Sequence, residues 1–349
     1  MPEFQITRIL LFSTLAFIFA ILWTPLLTHF LYKYKLGKSI RSSGKTPIFS
    51  KLHAHKAGTP TMGGILIWLT VLLFIIVFAF LSDIFPGTLL GSLNFLSRQE
   101  TLLPLGALIA TALIGLVDDW LDVRGKGIFG GGGLSLSHRL AIFAFIALVG
   151  ALWFYFKLDW TVLHVPFLGS FEIGWWYIPV FIFVIVATAF SVNETDGLDG
   201  LAGGTMLIAY AVYGVIAFSL GRYDLAVFCA VIIGALLAFL WFNINPARFY
   251  LGDTGSMSLG VTLAVIAMLT NYALLLPVIG LIFVVESLSV ILQLSSKKIR
   301  KKKIFLSTPI HHHFQAIGWT EPKIVMRFWL IALVSASIGL VLFFLDRGL

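Results

Sequence analysis

The sequence predicts an all-α, polytopic integral membrane protein with about ten transmembrane helices. Three observations carry that reading. The chain is 59% hydrophobic and 11% charged, with a mean hydropathy of +0.99, whereas about a quarter of a soluble domain is charged. Apolar stretches of about 20 residues, the length that crosses a bilayer core, recur along the chain between short polar connections. The 24 Lys and Arg gather in alternate connections instead of covering a surface. The net charge of +8 therefore reads as membrane topology, and no nucleic-acid partner is expected. The single cysteine, Cys229, lies in an apolar stretch and excludes an intrachain disulfide.

The first span covers residues 9–31. It is longer than a signal-peptide core and lacks a small-residue cleavage site, so it reads as a retained span. Further spans follow at 62–82, 101–117, 138–157, 173–192, 201–220, 224–242, 256–271, 277–296 and 327–345. Each should be helical, because lipid offers no partner to a backbone amide or carbonyl. The ninth contains Pro277 and Glu286, either of which marks a place for a bend. The connection at 158–172, with Trp160, Phe167 and Phe171 followed by Trp175 and Trp176, belongs in the outer interface, where aromatic rings are favoured.

Orientation follows from the basic residues. With both termini outside, 19 of the 24 Lys and Arg fall on the inner side, which the positive-inside rule makes cytoplasmic. Both termini are then expected on the outer, non-cytoplasmic side. One transmembrane catalytic domain over 1–349 is expected, its site formed by the inner loops 32–61, 118–137, 193–200, 243–256 and 297–326.

The acids then fall into place. Asp118, Asp119 and Asp122 end the third span, Glu194, Asp196 and Asp199 follow the fifth, and Asp253 follows the seventh. All lie on the inner side with His311, His312 and His313, whereas the outer acids are scattered singly. Clustered carboxylates repel one another unless a cation lies among them. A hard cation such as Mg²⁺ takes one or two carboxylates and completes its shell with water and substrate phosphates. Basic residues nearby (Lys56, Lys126, Arg248 and those of 297–303) suit a phosphorylated substrate. Acids for a metal and bases for phosphate are what phosphoryl transfer requires. Asp118 and Asp122 share a helix face, and Asp196 and Asp199 have the i, i+3 spacing to do the same. Asp253, in Gly252-Asp253-Thr254-Gly255-Ser256, opens a helix whose free amides suit an anion.

Blander readings exist for each motif. Asp118-Asp119-Trp120-Leu121-Asp122 also fits a solvated acidic loop, and 193–200 fits a helix cap and turn. The basic run at 297–303 reads first as an orientation signal. Glu286, an acid within a span, is a functional suspect that a structural hydrogen bond would explain equally well.

Taken in order, these motifs resemble the phospho-N-acetylmuramoyl-pentapeptide-transferase (MraY-type) family of the polyprenyl-phosphate N-acetylhexosamine-1-phosphate transferases. The resemblance runs nearly end to end. It comprises Lys56-Ala57-Gly58-Thr59-Pro60-Thr61-Met62-Gly63-Gly64, Asp118-Asp119, Asn193 with Thr195-Asp196-Gly197-Leu198-Asp199-Gly200, Asn243 with Pro246-Ala247, the Asp253 motif, Glu286 with Gln293, and Pro309-Ile310-His311-His312-His313. It implies transfer of phospho-MurNAc-pentapeptide from UDP-MurNAc-pentapeptide to undecaprenyl phosphate, giving lipid I and UMP, with Mg²⁺ as cofactor and a homodimer as the assembly. It also implies a bacterial inner membrane with periplasmic termini, and residue roles. Asp253 binds the metal with Asp118 and Asp119, and the latter pair lies near the lipid phosphate. His311 completes the catalytic set. Asn193 and Asp196 position diphosphate and sugar, while Gly197, Leu198, Asp199, Asn243 and Tyr250 form the uridine pocket. Lys56, Thr61, Gln293 and His312 make further substrate contacts. The chain departs from the family pattern at Asp122, Glu194, Tyr250 and Gln315, so Asp122 and Glu194 inherit no role.

Three other activities compete. A transferase of UDP-N-acetylglucosamine-1-phosphate to a polyprenyl phosphate would use the same superfamily motifs. A transporter would place its acids near the midplane. A membrane prenyltransferase would use paired aspartates but has no task for the histidine run.

Overall fold

The computed structural model describes residues 2–37, 58–97, 100–125 and 133–348. Lys56, Lys126 and most of the 32–61 loop lie outside the described residues. The helices are α1 (Pro2–Lys33), α2 (Ile65–Ile84), α3 (Leu102–Val123), α4 (Leu136–Lys157), α5 (Tyr177–Thr195), α6 (Leu201–Ser219), α7 (Tyr223–Asn243), α8 (Gly252–Leu269), α9 (Leu276–Ile279), α10 (Leu281–Ile299), α11 (Ile310–Ala316) and α12 (Glu321–Gly348). Among the described residues, nine helices are long and apolar enough to cross a membrane. A broken pair, Ala273–Ile279 and Leu281–Ile299, brings the number to ten when taken as one span.

The expected spans are all found, with one informative difference. The ninth is bent by 82°. The break falls at Gly280 (φ −100°, ψ 36°), between Pro277 and Glu286. Pro277 stands at the start of α9, where a missing amide costs nothing. Glu286 stays inside an unbroken helix.

Helix α8 is the hub. It is wholly buried and packs against α3, α5 and α6, while α1 lies along α7 and α4 along α5. Its composition explains how. Lipid gives apolar helices little reason to associate, so close packing through small residues takes over. A Cβ on Gly64 would collide with the backbone of Gly255, which sets how closely the start of α2 approaches α8. The hydroxyls of Ser258 and Thr262 donate to the carbonyls one turn earlier, at 2.6 and 2.7 Å. Polar side chains thus enter the core with their hydrogen bonds made.

Among the described residues, the 158–172 connection holds the only two strands. Strands β1 (Val162–Val165) and β2 (Gly169–Glu172) form an antiparallel hairpin in which His164 faces Ser170. Four-residue strands carry too little alternation to be read from sequence. As expected, Phe167, Phe171, Trp175 and Trp176 are exposed there.

Candidate active site

The site is built at the end of the bundle that bears the basic loops, where the C-terminal ends of α3 and α5 and the start of α4 meet the first turn of α8. The amides of a helix's first turn have no partner within the helix, and a carboxylate placed there satisfies them. Asp119 does so across 134 residues of chain. Its Oδ1 accepts from the Asp253 amide at 3.0 Å and its Oδ2 from the Thr254 amide at 3.0 Å. The Thr61 hydroxyl also donates to Oδ1, at 3.2 Å. Gly252 makes the geometry possible. Its φ is +75°, and any Cβ there would strike the Asp119 carboxylate and the Thr61 hydroxyl. Asp119, 1% exposed, therefore sits as the cap of α8.

Its neighbour points elsewhere, because successive helix residues diverge by about 100°. Asp118 is fully buried. Its Oδ1 accepts from the Leu134 amide, and its Oδ2 lies 2.9 Å from Nε of Arg139. The same guanidinium reaches Oδ2 of Asp253 at 2.9 Å and Oδ1 of Asn193 at 3.1 Å. Asn193 closes the ring by donating to Oδ1 of Asp253 at 2.7 Å and to the Ser256 hydroxyl at 2.9 Å. Carboxylates from α3 and α8 thus converge on one planar cation, the arrangement for which the rigid fork of arginine is suited.

That convergence also tests the fit for a metal. Asp118 and Asp253 meet different nitrogens of the same guanidinium, each at 2.9 Å, which brings two carboxylates from different helices to one cation. Among the described residues, no three His, Cys, Asp or Glu side chains gather around one point. A protein contribution of two carboxylates, with water and phosphate completing the shell, is the habit of Mg²⁺. Asp118 and Asp253 fit that donor set. Asp119 fits it less well, since its oxygens already hold two amides and a hydroxyl.

A second wall comes from the connection between α5 and α6. Asp196 does not share a helix face with Asp199, as their spacing suggested. Helix α5 ends at Thr195, and Asp196 turns the chain with ψ 60°. Asp199 faces the loop before α8, accepting from Asn245 Nδ2 at 2.9 Å and the Ala247 amide at 3.0 Å. Asn243 bridges the same two segments, taking the Gly200 amide at 2.9 Å and donating to the Phe249 carbonyl at 2.8 Å. The Asp199 amide donates to Glu321 at the start of α12. Leu198 packs with Leu201, Ile282, Ile324, Val325 and Phe328. The Tyr250 backbone pairs with Pro60 and Gly63, and its ring is half-buried.

The histidine helix α11 supplies the third wall. His311 Nδ1 lies 2.9 Å from Oε2 of Glu286, and both side chains are fully buried. The other edge of the ring meets Gly197, where a Cβ would collide with Nε2. His311 is thereby held between α10 and the 193–200 loop. His312 pairs with Gln315 at 2.8 Å. Gln293 is committed to the chain before α11, accepting from Ile304 and Phe305 amides and donating to the Phe305 carbonyl.

The profile of glycosyl transferase family 4 matches residues 101–271, which hold Asp118, Asp119, Arg139, Asn193, Asp199, Asn243 and Asp253. Signature 1 of the phospho-N-acetylmuramoyl-pentapeptide-transferases matches residues 56–67. The transferase of that name from Geobacillus sp. (strain WCH70) is 40% identical over 332 residues, covering 93% of this chain and 95% of its own length. The chain belongs to the phospho-N-acetylmuramoyl-pentapeptide-transferase family. The transferases from Chloroflexus aggregans and Bacillus subtilis are each 37% identical, covering 96% of this chain and 89% and 98% of their own lengths.

Within this family frame, one site residue escaped the sequence reading. Arg139 was counted only as a topogenic charge, yet it bridges Asp118, Asp253 and Asn193. A signal was present, since Ser135 caps α4 and places Arg139 in its first turn, at the inner side. Arg248, expected near phosphate, instead lines a groove beside α1. Glu286 proves to be the partner of His311.

Proposed function

We propose that this chain transfers phospho-MurNAc-pentapeptide from UDP-MurNAc-pentapeptide to undecaprenyl phosphate, releasing UMP and forming lipid I. The observation that carries the reading is the convergence of Asp118 and Asp253 on one cation position beside the first turn of α8. Family membership supplies the substrates: the relatives bear the name of this transferase.

The site is assigned to the cytoplasmic face of a bacterial inner membrane, where a soluble nucleotide and a lipid phosphate meet. Asp253 and Asp118 would hold Mg²⁺, which when bound neutralises diphosphate charge in such transfers. Arg139 and Asn193 fix the orientation of Asp253, and Asp119 fixes the helix end that carries it. By resemblance to the family, Asn193 and Asp196 are assigned to the diphosphate and sugar; Thr61, buried, acts through the Asp119 carboxylate to which it donates, and the expected contact of Lys56 lies outside the described residues. Gly197, Leu198, Asp199, Asn243 and Tyr250 frame the uridine pocket, where a tyrosine ring can stack on uracil. Asp199 and Asn243 act there chiefly by tying its two loops together, as Gln293 does for the chain before His311 and His312. The Asp118 carboxylate is able to act as a base toward the lipid phosphate or as a nucleophile on the donor phosphorus. Without lipid phosphate, stoichiometric UMP release would mark the nucleophilic route. The assembly is assigned as a homodimer, testable by mass measurement in detergent.

The deciding experiment supplies purified protein with Mg²⁺, undecaprenyl phosphate and each UDP-sugar, and measures UMP. Release with UDP-MurNAc-pentapeptide is expected. Release with UDP-N-acetylglucosamine alone would move the assignment to the sister transferases, and release with neither would favour another class of protein.

A further inference from the structure

A groove lies apart from this site, where the inner end of α1 meets the loop between α7 and α8. Pro25, Thr28, His29, Tyr32, Lys33 and Arg248 line it, around a volume of about 530 Å³. Lys33 and Arg248 bring two positive charges, and no carboxylate is among the lining residues. The Tyr32 hydroxyl donates to the Arg248 carbonyl at 2.9 Å and holds that loop against α1. Among the described residues, the partners of these cations are aromatic rings at the limit of useful distance, Lys33 over Tyr34 and Arg248 over Phe242, each at 6.0 Å.

Apolar surface leads into the groove from the membrane side. Leu22, Leu26 and Phe30, spaced by four, are exposed along α1. Leu237 and Trp241 are exposed along α7, with Ile244 at its end. The two helices pack along one another, so both stripes run toward the same pair of cations. Apolar rails ending at two positive charges at the depth of the headgroups match one ligand shape.

We propose that this groove binds the headgroup phosphate of an anionic phospholipid of the cytoplasmic leaflet. The acyl chains lie along the Leu22–Leu26 and Leu237–Trp241 stripes, and the phosphodiester meets Lys33 and Arg248. A second copy of the chain is a poorer occupant, since a two-fold contact would set these cations against each other. The bound phosphate would brace the loop from outside. On its inner side the same loop donates the Ala247 amide to Asp199.

The test uses the full chain in neutral detergent with equal amounts of phosphatidylglycerol or phosphatidylcholine, read by native mass spectrometry. The wild type is expected to retain one phosphatidylglycerol in preference to phosphatidylcholine. Lys33→Gln and Arg248→Gln should each weaken that retention roughly fivefold, the worth of one basic residue at an anionic surface. Lys33→Arg should retain it, as should Lys301→Gln in the basic run elsewhere on the same face. Each variant's melting temperature in phosphatidylcholine monitors folding, and Lys33→Arg with Lys301→Gln carries the test where a glutamine variant unfolds. Equal retention of the two lipids by the wild type would overturn the proposal. So would undiminished phosphatidylglycerol in both folded glutamine variants, loss in Lys301→Gln alone, or a changed dimer fraction in place of changed lipid binding.

Discussion

The two ends of the bundle use the same side chains differently. At the outer end, three acids tie neighbouring segments. Asp224 holds Arg8 at 2.9 Å, Glu100 takes the Leu225 amide, and Asp346 takes His164 at 2.7 Å and Tyr272 at 2.8 Å. These contacts are separate struts between α1, α7, α12 and the hairpin. At the inner end, Asp118, Asp253, Arg139 and Asn193 close a ring around one point, with Asp119 and His311 anchored beside it. Both ends contain buried charges with partners. Only the inner end makes acids from different helices converge on one cation, and convergence is what distinguishes a reactive site from a set of braces.

Replacements at the two ends should therefore separate activity from stability. The largest effect is expected for Asp253→Asn, which should reduce turnover by roughly 10³-fold or more while the protein still inserts. UMP release together with a melting curve checks this, and near-normal turnover would remove Asp253 from the metal. Arg139→Ala should follow with a loss on the order of 10²-fold, and Arg139→Lys should recover only part, since an ammonium cannot span two carboxylates and an amide. Glu286→Gln should cost about 10²-fold in kcat through a misdirected His311, with little change in KM. Equal loss in both constants would make Glu286 a binding residue. Asp119→Ala should act differently from its neighbour, lowering stability by about 2 kcal/mol as the α8 cap is lost. The smallest effect belongs to the outer end. Burial, with Asp346 beside it, pushes the Tyr272 phenol up to about 12 from its ordinary 10. The protonated form is the one folding favours, so its stabilisation is intact below pH 10 and fades as pH rises toward 12. Tyr272→Phe should remove that slope and leave turnover unchanged.

The inner ring also shows which parts of the site could be read in advance. Asp118, Asp253 and Asn193 stood out because acids and amides are rare in a chain this apolar. Arg139 did not, because an arginine beside a span has a sufficient explanation in topology. Asp196 and Asp199 shared a helical spacing but not a helix, since α5 ends at Thr195 before either is reached. The hairpin at 162–172 was missed because its strands are four residues long and interrupted by aromatic residues that serve the interface.

Hydropathy and charge are properties of each segment, so the sequence by itself determined the all-α fold, the placing of the apolar spans and the grouping of basic and acidic residues in alternate connections. The division of labour between Asp118 and Asp119 was decided only by the tertiary structure. The two are the same residue type at adjacent positions, and nothing local distinguishes them. A helix start 134 residues away takes one carboxylate as its cap, and an arginine on α4 takes the other into the ring.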